Sequence, residues 1–272
     1  MHIHLFMRRI IPFFIIAVTL FIASCNGNDD TTDDAVQPAG DIQQELKDQI
    51  KKYPDSILLR ETLIQNYRDS GDYDAAIAEA KTTITKDSLN GVLWEHLFWL
   101  YYEDQDTANA IASLEKAVSL NADPQYYITL GSVYAETKNP NALIIANKLA
   151  AEPTGAYKKE ALFIPALYYS RIGEGEKAIP LFDQSLEVEY TYLDAYREES
   201  ICLYNMGRYQ DAIKKLQKAT SVKSDYTVAY YWLGRCYEKL NDKKEAIDNY
   251  QSAIQIDPDY DEAKDALKSI GN

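Results

Sequence analysis

Few residues in this 272-residue chain have the type and spacing to do chemistry, and most of those few cancel on inspection. Of three histidines, His2 and His4 precede an apolar run, which leaves His96 alone in the rest of the chain. A histidine metal site or a nucleophile–histidine–acid triad therefore lacks its partners. Asp257-Pro258-Asp259-Tyr260-Asp261 alternates carboxylates as the opening of a calcium loop does, but Glu262 stands where the loop needs glycine and Lys268 where it needs a bidentate glutamate. The segment reads instead as a turn that caps the following helix. Gly173-Glu174-Gly175-Glu176-Lys177 lacks the spacing of a phosphate loop and the Ser or Thr after its lysine, so it too reads as a turn. Glu198 and Glu199 point about 100° apart on a helix and cannot act as a paired acid and base by themselves. No catalytic residue, metal ligand set or cofactor site survives, and the chain reads as a non-enzyme.

Cysteine chemistry narrows to one position. Cys202 and Cys236 are 34 residues apart and fall at the same place in successive repeats, where packed helices lie about 8–10 Å apart. A disulfide needs Cα atoms within about 7 Å, so both read as small buried packing residues. Cys25 differs. Met7-Arg8-Arg9 leads into the apolar run 10–23, broken only by Pro12 and Thr19, and then into Ser24-Cys25. About 14 apolar residues are too few to span a bilayer, which takes about 20, but they suit a signal-peptide core. Ile22-Ala23-Ser24-Cys25 resembles the lipobox of bacterial lipoprotein signal peptides. The resemblance implies cleavage before Cys25, lipidation of Cys25, and stable membrane attachment through several acyl chains on one residue. It places the protein in a bacterial cell envelope, on the outer membrane, facing the periplasm or the surface.

Segment 25–40 carries Asp29, Asp30, Asp33 and Asp34 with Gly27, Pro38 and Gly40, and reads as a disordered acidic tether. Its residues span roughly 20 Å or more as a flexible chain.

The element that organises everything downstream is a period. Ala followed by Ile or Leu recurs at Ala76, Ala110, Ala142, Ala178, Ala212 and Ala246, with spacings of 34, 32, 36, 34 and 34. A fixed period of this size means one helical hairpin copied and stacked, with function on the extended surface. The last copy shows the design: Tyr230, Leu233-Gly234 and Tyr237 on one helix, Ala246, Tyr250 and Ala253 on a second, then Pro258. This order resembles the tetratricopeptide repeat. Repeats begin near Ile57, Gly91, Pro124, Lys159, Leu193 and Thr227. Gly71, Gly173, Gly207 and Asn241 fall just after the first helix of their hairpins, where a left-handed residue ends a helix. The third copy is shortened by about two residues at Lys138-Asn139-Pro140, and Glu152-Pro153-Thr154-Gly155 restores them.

The resemblance implies an all-α, right-handed α-solenoid of about six helix-turn-helix repeats over 57–260; Ile42, Leu46 and Ile50 on one face mark a capping helix in 41–56, the polar segment 261–272 reads as a closing helix, and the signal peptide occupies 1–24. The resemblance also implies a concave groove, lined by the first helix of each hairpin, that receives peptides or partner helices. Carried onto this sequence, the groove residues are Trp99, Tyr102, Glu103, Phe163, Arg197, Tyr204, Tyr231, Arg235 and Glu238. Aromatics and arginine are the types that anchor interfaces. The Lys/Asn carboxylate clamp of chaperone-binding relatives is absent, because Glu61, Glu95, Ile128, Phe163, Arg197 and Tyr231 stand at the lysine places.

Charge limits the partners. The net charge is −14, and losing Arg8 and Arg9 with the signal segment removes two positive charges and takes it to −16. No basic stripe is present to meet phosphates, so nucleic acid is excluded as a partner. The leading expectation is a lipid-anchored envelope adaptor that binds another envelope protein or peptide. The alternative is a glycan-binding or nutrient-uptake accessory lipoprotein that stacks sugars on its aromatics.

Overall fold

The computed structural model describes residues 39–271, so the signal segment and Cys25 lie outside the described residues. Those residues form fourteen helices and no strand. They divide into two compact units, with the boundary along the chain between Asp87 and Ser88.

The first unit contains α1 (Ala39–Lys52), α2 (Ile57–Asp69) and α3 (Tyr73–Lys86). Helix α1 starts two residues inside the stretch read as tether. It packs on α2 and buries Leu46 and Ile50, which share one helical face. Ser56 and Asp72 cap α2 and α3, their side-chain oxygens accepting from the backbone N–H groups of Leu59 and Ala75. Arg60 and Glu79 form an ion pair across the α2–α3 hairpin.

The second unit runs as five hairpins and a closing helix: α4 (Gly91–Glu103) with α5 (Thr107–Leu120), α6 (Pro124–Glu136) with α7 (Asn141–Ala150), α8 (Lys158–Arg171) with α9 (Gly175–Val188), α10 (Leu193–Asn205) with α11 (Tyr209–Val222), α12 (Thr227–Lys239) with α13 (Lys243–Ile256), and α14 (Asp261–Gly271). Each hairpin packs internally and on the next, and α14 packs on α13. The first helices also touch one another, α6 on α8, α8 on α10 and α10 on α12. They therefore build a common face.

The periodic alanines sit at the helix crossings. Ala76, Ala110, Ala142, Ala178, Ala212 and Ala246 are all completely buried. The first helix meets the second through a glycine in the third and last hairpins, at Gly131 and Gly234, whereas Ile64 and Phe98 fill that place in the first two; the last hairpin shows the fit most clearly. A Cβ added at Gly234 would lie 2.5–3.0 Å from three atoms of the Tyr250 ring, itself completely buried. Gly234→Ala is thus expected to lower stability by about 1–3 kcal/mol through overpacking, read from the midpoint of a urea melt. An unchanged midpoint would mean that the ring can move aside.

The hairpin turns follow the predicted left-handed pattern and extend it. Gly71, Gly173, Gly207 and Asn241 have φ of 78°, 85°, 77° and 61°, and Gln105 and Lys138 take the same place at 66° and 59°. These two escape a glycine search because ordinary side chains occupy a conformation that costs them roughly 1–3 kcal/mol each. In the third hairpin the shortening falls on the second helix: α7 has 10 residues where α9, α11 and α13 have 14. The restored residues form a turn held by Glu152, whose carboxylate accepts from the N–H groups of Thr154 and Ala156 at 3.0 and 3.2 Å.

Prolines inside α8 and α9, Pro165 and Pro180, remove backbone donors without ending either helix. Both helices are held by extensive packing on each other.

Candidate binding face

The nine residues expected to line a groove lie on the first helices α4, α8, α10 and α12, which do not present them alike. Phe163 is 1% exposed, with its ring 5.8 Å from Phe182 and 5.1 Å from Tyr192. Tyr231 is 8% exposed and packs on Tyr250 and Tyr260 at 5.9 and 5.5 Å. Arg197, also 8% exposed, donates to Asp194 at 2.8 Å, to Glu198 at 3.0 Å and to the Tyr226 hydroxyl. These three are core residues, which corrects their reading as groove contacts.

One device buries all three. The tyrosine that precedes the next helix folds back onto them, giving the pairs Phe163–Tyr192, Arg197–Tyr226 and Tyr231–Tyr260, each 29 residues apart. Tyr192, Tyr226 and Tyr260 themselves recur every 34 residues, a signal available in the sequence and not used there. They stand at or beside the helix start, where the earlier hairpins place the capping residues Ser56, Asn90 and Asp123.

The other six predicted residues remain accessible. Trp99, Tyr102 and Glu103 are half-buried on α4, with the Trp99 ring edge-on to Phe98 and Tyr102 at 4.8 and 6.1 Å. Tyr204 and Arg235 are half-buried and Glu238 is exposed. Arg235 lies 5.6–5.8 Å from the ring centres of Tyr204, Tyr231 and Trp232. It donates to the Tyr231 hydroxyl at 2.8 Å and to that of Tyr204 at 3.3 Å. Burial works against its charge, yet the two hydroxyls outweigh it and raise its pKa. Trp232, which edge-packs on Tyr204 at 5.3 Å, completes this cluster and was missed in the sequence.

Between the aromatic ends runs an ionic floor, also missed. Arg171 donates to both oxygens of Glu136, at 2.6 and 2.8 Å, and to Glu198 at 2.6 Å. Glu198 also accepts from Arg197, so Glu136, Arg171, Glu198, Arg197 and Asp194 form one chain across α6, α8 and α10. Burial alone would raise the Glu198 carboxyl, but Arg171 and Arg197 outweigh it and hold the carboxyl below its usual range. Glu136 is raised, chiefly by burial, despite Arg171. Burial, aided by the charge of Glu136, pushes the Tyr102 hydroxyl up to about 12. Glu198 and Glu199 diverge as their helical spacing requires, the first into this chain and the second to Lys215 on α11.

Asp257 accepts from the Asp259 N–H at 3.1 Å, as a turn-capping carboxylate does. No group of three or more metal-binding side chains gathers among the described residues. Cys202 and Cys236 are free and buried. No helix of the described residues is long and apolar enough to cross a membrane.

Residues 62–127 and 227–260 match the tetratricopeptide repeat family. No curated protein matches the chain. Among solved structures, a tetratricopeptide repeat protein from Parabacteroides merdae superposes with a TM-score of 0.69 at 18% identity, over 86% of this chain and 93% of that one. PilW, a type IV pilus biogenesis factor, gives 0.58 at 17% identity over 88% of this chain and 100% of its own. TTC0263, a tetratricopeptide repeat protein of Thermus thermophilus, gives 0.57 at 17% identity over 66% and 98%. The all-helical hairpins and these neighbours together establish the fold class, an α-solenoid of tetratricopeptide repeats.

Proposed function

We propose that this array of tetratricopeptide repeats is a lipid-anchored cell-envelope scaffold, and that the shared face of its first helices holds a protein or peptide partner. The observation that carries the reading is the cluster around Arg235: a guanidinium set among three rings and braced by two hydroxyls, yet one-third exposed. Pre-ordered aromatic and arginine side chains lose little freedom on binding and are the types that dominate interfaces. Trp99, Tyr102 and Glu103 offer a second contact region on α4.

A photocrosslinking residue placed at Tyr204 in cells is expected to give one discrete adduct, lost when Arg235→Ala and Trp232→Ala are combined. Adducts absent at both Tyr204 and Trp99 would sink the scaffold reading. Anchoring is tested apart from binding. Cys25→Ser is expected to move the protein from the membrane to the soluble fraction and to abolish palmitate labelling, and unchanged labelling would reject lipidation at Cys25.

A further inference from the structure

Glu199 breaks the repeat's own pattern. Its place in the hairpin belongs to Leu63, Leu97, Leu130 and Leu233 in four other copies, all of them buried. Those four leucines show what packing alone requires there. In the fifth copy the same position holds a carboxylate whose side chain is 0% exposed. A buried carboxylate is costly unless its oxygens are paired. Oε1 lies 2.7 Å from the Lys215 ammonium, whereas Oε2 has no hydrogen-bond donor among the described residues.

Glu199 lines a cavity of about 570 Å³ between α9, α10 and α11, a size that suits a small molecule. Ile179 and Leu203 contribute apolar wall. The cations around it are mostly committed: Asp211 engages Arg208 and Lys214 at 2.9 and 3.3 Å, and Lys215 is shared by Glu199 and Asp183. Lys218 is different. It has no carboxylate within ion-pair distance among the described residues, yet it lines the same cavity. The cavity is thus lined both by Glu199, buried with no donor on Oε2, and by Lys218, an exposed cation whose charge acts on the Glu199 carboxyl.

We propose that this cavity, on the side of the second helices and apart from the face assigned to the protein partner, binds a small amphoteric molecule of the amino-acid or dipeptide class. Its amino group donates to Glu199 Oε2 and its carboxylate meets Lys218. The apolar wall accepts a short side chain between the two.

The test is a calorimetric titration of the full chain with alanyl-alanine, its N-acetyl derivative and its C-terminal amide. Saturable binding is expected for the free dipeptide, weakened about tenfold or more by either blocking group, by Glu199→Leu and by Lys218→Ala. Glu199→Leu installs the leucine that four other copies carry at this place, a urea melt of the variant checks its folding, and Lys244→Ala, at an exposed position away from both sites, should leave the titration unchanged. No saturable heat, or binding retained in Glu199→Leu, overturns the site. Equal binding of the blocked and free dipeptides overturns the ligand class.

Discussion

Replacing Arg171 with Met is expected to destabilise the protein by about 3–5 kcal/mol, read from the midpoint and slope of urea unfolding. The methionine keeps the stem's packing but leaves Glu136 and Glu198, whose side chains are 10% and 3% exposed, without the guanidinium that both share. Arg197 still reaches Glu198. Glu136, in contrast, loses the guanidinium that donates to both of its oxygens and becomes a buried charge facing another carboxylate. Adding Glu136→Gln and Glu198→Gln to the Met variant should recover much of the loss, because a neutral amide tolerates burial better than an unpaired charge. A midpoint that barely shifts in Arg171→Met would show that the ionic floor is solvated and adds nothing to the fold.

The stability of the wild-type protein relative to Glu199→Leu should fall by about 3 kcal/mol between about pH 4.5 and pH 7. Burial pushes the Glu199 carboxyl up to about 7, against the pull of Lys215, whereas in the unfolded chain it titrates near the ordinary 4.5. The folded state therefore holds an extra proton between these values. The stabilising contribution is complete below the lower one and is lost as pH rises through the upper one. Denaturant melts of both proteins at about pH 5 and pH 8 measure the difference, and its absence would show that Lys215 neutralises Glu199 fully.

The fold was legible because its signal is repeated. One alanine says little, but six at a near-constant spacing fixed the crossings, and the structure buries all six. The turns were legible only where the sequence uses Gly or Asn, since Gln105 and Lys138 adopt the same backbone without the usual residue. The candidate face was read in part. Tyr204, Arg235 and Glu238 stay accessible on it, but Phe163, Arg197 and Tyr231 disappear under tyrosines 29 residues further on. That covering depends on how the next hairpin begins, which no helical periodicity reports. Glu199 is visible in the register of Leu63, Leu97, Leu130 and Leu233, a signal that comparison of the two adjacent glutamates with each other does not contain. Arg171 gave no signal because its partners lie one on each neighbouring hairpin.

That last arrangement bears on how such an array can change over generations. Stacked repeats tolerate loss, duplication and shuffling of whole copies because neighbouring interfaces are alike. Here Arg171 reaches back to Glu136 and forward to Glu198, so the third, fourth and fifth copies carry complementary, non-identical contacts. Deleting the fourth copy would bring two acidic positions together, and duplicating it would set two arginines against each other. The middle of the array is therefore an ordered sentence rather than a string of equivalent words, and recombination is free to lengthen or shorten it only outside that stretch.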